Sequence, residues 1–80
     1  MINFQEKLLE IISQILGLEK EKLDLETDFY GDLNLSHVEV VDLILACQQK
    51  FNIVLHDQAL NEIKTIGDLY KTLEESSDEI

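Results

Sequence analysis

Eighty residues suffice for one small domain with a modest core and leave no room for a second. Six basic against seventeen acidic residues give a net charge of −11, which repels phosphate backbones and anionic lipid; nucleic acid and membranes are therefore poor partners, and a basic protein surface is a good one. A content of 45 % hydrophobic and 29 % charged residues is that of a soluble globular chain, expected to be monomeric, and its self-repulsion predicts a melting temperature that rises with added salt.

No basic segment followed by an apolar run opens the chain, and no apolar stretch approaches bilayer length, so the expected location is the cytoplasm. From Ile2 to Leu16 the apolar residues Phe4, Leu8, Ile11, Ile12, Ile15 and Leu16 recur at intervals of three and four, the spacing of an amphipathic helix. Asn3 stands as its cap with Glu6 three residues on, and Gly17 can take the left-handed conformation that closes it. From Leu18 to Leu35 no period persists, yet Leu23, Leu25, Phe29, Leu33 and Leu35 are too apolar for a free linker. This is a long connection held down by its own side chains, a kind that is uncommon unless functional.

The second helix has the clearest start. Ser36 followed by Glu39 ahead of an apolar run is a capping box, in which the serine oxygen accepts the N–H of Glu39 and the glutamate reaches back to the N–H of Ser36. Behind it Val38, Val41 and Leu45, widened by Ile44, Cys47 and Phe51, form the expected inner stripe of a helix running to about Lys50, with Glu39 and Asp42 facing water. Ile53, Val54 and Leu55 then read as an extended connector packed inward, since no other segment offers a strand partner. Asp57 can cap a short helix through Leu60 to Glu62, and Thr65 caps the last helix, whose inner face is Ile66, Leu69, Tyr70 and Leu73. The expected fold is all-α: a small four-helix bundle over residues 1–75 with a long loop between helices 1 and 2, followed by an acidic tail at 76–80 that frays.

Few residues promise chemistry of their own. Cys47, the only cysteine, lies on an apolar stripe and reads as a small core residue rather than a nucleophile served by His56, because no orienting third group or oxyanion donor accompanies the pair. Asp24, Glu26 and Asp28 imitate the start of a calcium loop, but Phe29 stands where its glycine belongs and Leu35 where its bidentate glutamate belongs. His37 has no second ligand at metal-binding spacing on its face. Nothing here supports an enzyme.

The segment TDFYGDLNLSHVEVVDLILACQQKFNIVL, residues 27–55, resembles the central region of acyl carrier proteins. Without gaps Phe29, Asp32, Leu33, Val38, Val41, Leu43, Phe51, Leu55, Ile63 and Thr65 fall on matching positions, and the likeness covers nearly the whole chain. The resemblance implies a carrier whose serine at the start of the second helix holds 4′-phosphopantetheine as a phosphodiester, with the terminal thiol bearing an acyl thioester for fatty-acid, polyketide or related synthesis. It also implies docking, through Leu33, Leu35, Glu39, Val40 and Asp42, onto basic surfaces of acyl-chain synthases, transferases or a phosphopantetheinyl transferase.

The chain departs from that pattern at the attachment point. In the ungapped alignment His37 holds the position of the modified serine, and Ser36 stands where the preceding aspartate does. Sliding the alignment by one residue restores the serine but is expected to put Val38, Val41 and Phe51 out of step with the core and turns every side chain of the helix by about 100°. A chain that docks without the arm is therefore expected, with attachment at Ser36 as the alternative. Asn34 in place of glycine, and Gln48, Gln49 and Lys50 in place of an acidic run, imply a docking surface unlike that of the relatives.

Overall fold

The Asn3 side chain begins the first element, its Oδ1 accepting the N–H of Glu6 at 2.8 Å. The structure, a computed structural model, describes residues 3–77. Helix α1, Phe4–Leu16, ends at Gly17, where φ of 69° and a bond from the Gly17 N–H to the Ser13 carbonyl close the last turn. Leu8, Leu9 and Ile12 are its buried face, whereas Ile15, expected inside, is exposed at the helix end.

Residues 18–36 form the long connection. A single 3-10 turn, Lys20–Lys22, is tied back to α1 by the Lys20 ammonium, 2.9 Å from Glu6 and 4.0 Å from Glu10. Beyond it Thr27 is buried, with its hydroxyl oxygen accepting the Asp24 N–H at 3.0 Å. Asp28 Oδ1 accepts the N–H groups of Tyr30 and Gly31, both at 2.8 Å, while Asp32 Oδ2 accepts that of Asp28. These carboxylates hold turns together and are not brought into a metal cluster. Leu23 and Phe29 enter the core, and Leu25, Leu33 and Leu35 pack against it, so the connection is pinned as its composition predicts.

Backbone bonds complete the anchoring. The Phe29 N–H donates to the Lys64 carbonyl at 2.9 Å, the Ile66 N–H to Thr27 at 3.0 Å and the Gly67 N–H to Leu25 at 2.8 Å, around an antiparallel bridge between Asp28 and Thr65. Among the described residues this bridge is the only β pairing.

Helix α2, His37–Phe51, ends at Asn52, which takes φ of 57° where glycine is more usual. Its buried face is Val40, Leu43, Ile44 and Cys47. The expected inner stripe is therefore corrected: Val38 and Leu45 are 68 % and 44 % exposed, and Val41 is only half-buried. Between residues 38 and 47 only Glu39 and Asp42 are polar, so spacing alone singles out no face, and packing against α1 and Phe29 decides it.

The connector is extended, with Ile53 and Leu55 buried and Val54 89 % exposed, because successive side chains of an extended backbone point to opposite sides. Helix α3, Asp57–Glu62, has His56 at its cap position and no side-chain cap bond; Asp57 is its first residue rather than its cap. Helix α4, Ile66–Ser77, starts at a reciprocal cap in which Thr65 accepts the Asp68 N–H at 3.0 Å and Asp68 accepts the N–H groups of Thr65 and Lys64. Ile66, Leu69 and Leu73 seal the core, and Phe4 packs edge-on to Phe51 at 4.7 Å between centroids and beside Tyr70 at 5.6 Å, joining α1, α2 and α4 at one end. The described residues form the expected all-α, four-helix arrangement; the acidic tail expected at 76–80 lies largely outside them.

Candidate functional site

The start of α2 is built from both halves of the capping box. Ser36 Oγ accepts the Glu39 N–H at 3.2 Å, and Glu39 Oε1 accepts the Ser36 N–H at 2.8 Å. The Ser36 N–H, and secondarily its hydroxyl, hold the Glu39 carboxyl below its ordinary range, so a negative charge is stationed at the positive end of the helix. Ser36 faces solvent with its oxygen engaged.

His37, the first residue of α2, is also exposed, and its Nδ1 lies 3.1 Å from the Tyr30 hydroxyl. Tyr30 is aimed there by the turn that Asp28 caps and by the bond from the Asn34 N–H to the Tyr30 carbonyl at 3.1 Å. Asn34 itself adopts φ of 56°, a left-handed conformation that asparagine tolerates better than most side chains. Nothing in the sequence signalled the Tyr30–His37 pair, since seven residues through an irregular loop carry no periodic relationship.

The residues predicted to dock partners separate into two groups. Glu39 and Asp42 are exposed on α2, and Leu33 and Leu35 are half-buried on the loop before it. Val40 is corrected as a surface position: it is completely buried on the face turned to the core. Val38, Val41 and Leu45 instead provide the apolar part of the outward face. At the far end of α2 an open groove of about 360 Å³ is lined by Leu45, Gln48, Gln49, Asn52, Ile53 and Val54.

Cys47 lies on the core face of α2. It is fully buried, and burial pushes its thiol up to about 12, so the reactive thiolate is absent at neutral pH. Among the described residues no group of three His, Cys, Asp or Glu side chains forms a metal site, and no helix is long and apolar enough to cross a membrane.

Residues 6–73 match the family model described as phosphopantetheine attachment site. The acyl carrier protein of Trieres chinensis is 37 % identical over 71 residues, which cover 89 % of each chain. Proteins of this kind carry acyl chains and are not enzymes, and 4′-phosphopantetheine is the prosthetic group that the family implies. The chain belongs to the acyl carrier protein family of phosphopantetheine-attachment domains.

Proposed function

We propose that this chain is a carrier-type module of fatty-acid, polyketide or related acyl-chain biosynthesis that docks partner enzymes through the outward face of α2 and has no phosphopantetheine arm at position 37. The observation that carries this reading is the imidazole of His37 at the first position of α2, held by the Tyr30 hydroxyl. When bound, the arm supplies a thiol for an acyl thioester, and joining it to the protein as a phosphodiester requires a hydroxyl. His37 has none, the neighbouring Ser36 oxygen is accepting the Glu39 N–H, and the Glu39 carboxylate already occupies the helix start that would otherwise favour a phosphate. The residues at this position do not fit the group.

Of the matched positions, Phe29, Leu43, Leu55 and Ile63 are in the core whereas Val38 is exposed and Val41 and Phe51 are half-buried, so the register of this reading rests on the ungapped match rather than on burial along α2. Docking in this reading begins with the long-range field of a chain bearing −11, which draws in basic surfaces of synthases, transferases or a phosphopantetheinyl transferase. Glu39 and Asp42 then pair with individual cations, and Val38, Val41, Leu45 and the exposed parts of Leu33 and Leu35 supply apolar contact. The working form in this reading is a cytoplasmic monomer.

A second reading is favoured by one fact, that Ser36 is solvent-exposed: it is then the hydroxyl bearing the arm, as the acceptor of a functional acyl or aminoacyl carrier. Intact-mass measurement after incubation with coenzyme A and a broad phosphopantetheinyl transferase separates the two. The mass is expected to stay unchanged. A gain of the arm's mass that disappears in Ser36→Ala would establish the second reading and defeat the first.

A further inference from the structure

The backbone that presents position 37 is built without help from its side chain. The cap of α2 is made by Ser36 and Glu39, and the first helical bond runs from the Val40 N–H to the Ser36 carbonyl at 3.0 Å. Behind it the Leu35 N–H donates to the Phe29 carbonyl at 3.0 Å, and Phe29 and Val40 are both fully buried. His37 is exposed, and its ring meets the Tyr30 hydroxyl in an exposed bond that none of these anchors needs. His37→Ser would therefore place a hydroxyl in solvent outside the capping box, whereas the oxygen of Ser36 is engaged within it. Glu39 stays at the helix start in both forms, so the two differ in the acceptor oxygen and in the bond to Tyr30.

We propose that the chain is a dead-end competitor for the enzyme that moves phosphopantetheine from coenzyme A to carrier domains: it takes a carrier's place on that enzyme and leaves unmodified. The proposal rests on the armless reading above and adds a regulation of the same site. Recognition and transfer draw on different atoms. Recognition uses the shape of the domain, which over residues 6–73 matches the attachment-site family, and the field of a chain bearing −11. Transfer needs one hydroxyl. An interaction made equally before and during a reaction sets binding and not turnover, so a chain that lacks the acceptor oxygen alone keeps its binding and loses its turnover. Each docked copy withholds the enzyme from carriers that possess the hydroxyl, and their loading slows as the concentration of this chain rises.

The probe is a broad phosphopantetheinyl transferase with coenzyme A and a serine-bearing acyl carrier protein as substrate, to which this full chain is added. Present at about ten times the carrier's KM, the chain is expected to raise the apparent KM for that carrier about fivefold to tenfold, with kcat and the KM for coenzyme A unchanged. His37→Ser is expected to gain the arm's mass, located at position 37 by fragmentation of the peptide. An unmodified wild-type chain that leaves the carrier's KM where it was overturns the competitor while the armless reading stands. A fall in kcat at unchanged KM places the chain elsewhere than the carrier's seat and overturns it too. So does His37→Ser that takes no arm, because the missing hydroxyl is then not what stops the transfer. A gain of the arm's mass on the wild-type chain defeats the armless reading, and the competitor falls with it.

Discussion

The Tyr30 hydroxyl and the Nδ1 of His37 lie 3.1 Å apart, which fastens the long loop to the first residue of α2. An exposed bond of this kind contributes about 0.5–1 kcal/mol, so Tyr30→Phe is expected to lower stability by no more than that, as measured by urea unfolding. The ¹⁵N resonances of the His37 ring should shift in the same variant while those of His56 stay put. Unmoved His37 resonances would count against the pairing.

Acid should remove the helix start before it removes the core. The Ser36 N–H and hydroxyl lower the Glu39 carboxyl from its ordinary 4.5 in the folded chain. A carboxyl lowered by folding contributes stability that is complete above its unfolded value and lost as the pH falls through its folded one. Glu39→Gln keeps an acceptor oxygen but no charge. The melting temperature of the wild type is therefore expected to exceed that of Glu39→Gln at neutral pH, with the gap closing below about pH 4.5.

Two glycines should respond oppositely to the same change. A Cβ on Gly67 would stand 2.7 Å from the Leu25 carbonyl oxygen, at a point where the Gly67 N–H donates to that oxygen. Gly67→Ala is expected to cost about 1–3 kcal/mol as the loop is pushed off α4. A Cβ on Gly31 meets nothing nearer than Asp28 Cγ at 3.6 Å, and Gly31→Ala should be neutral or slightly stabilising in the same denaturation assay.

The thiol of Cys47 should serve as a reporter of global opening. Fully buried and raised from 9.0 to about 12, it is expected to resist iodoacetamide in the native chain and to react at once in denaturant. Its native labelling rate, followed by mass, should track unfolding across the destabilised variants. Rapid labelling of the folded protein would show that the core face of α2 is wrongly placed.

The legible parts of the sequence were those where one residue type does one local job. Asn3, Gly17, Ser36 with Glu39, and Thr65 with Asp68 each announced a helix boundary, and each makes the bonds that the boundary needs. Periodicity misled on α2, where apolar residues on nearly every side left the choice between Val41 and Val40 to contacts with distant parts of the chain. Val54 departs from the expectation because three apolar residues in a row read as uniformly buried, although an extended backbone turns the middle one outward. The Tyr30–His37 pair and the loop's bonds to Lys64, Ile66 and Gly67 depend on tertiary placement, which no local pattern encodes.

Helix α3 buries none of its residues, and its cap position makes no side-chain bond, yet the chain on both sides of it is moored. Leu55 is fixed through Gln48 before it, and Ile63 and Lys64 are fixed through the core and Phe29 after it. Leu60 packs against the core but no residue of the helix is fully buried, so α3 is expected to open at a lower free energy than α1, α2 or α4 while the moorings hold the register on either side. A strain applied to this short span is therefore expected to be absorbed within it before it reaches the anchored segments on either side.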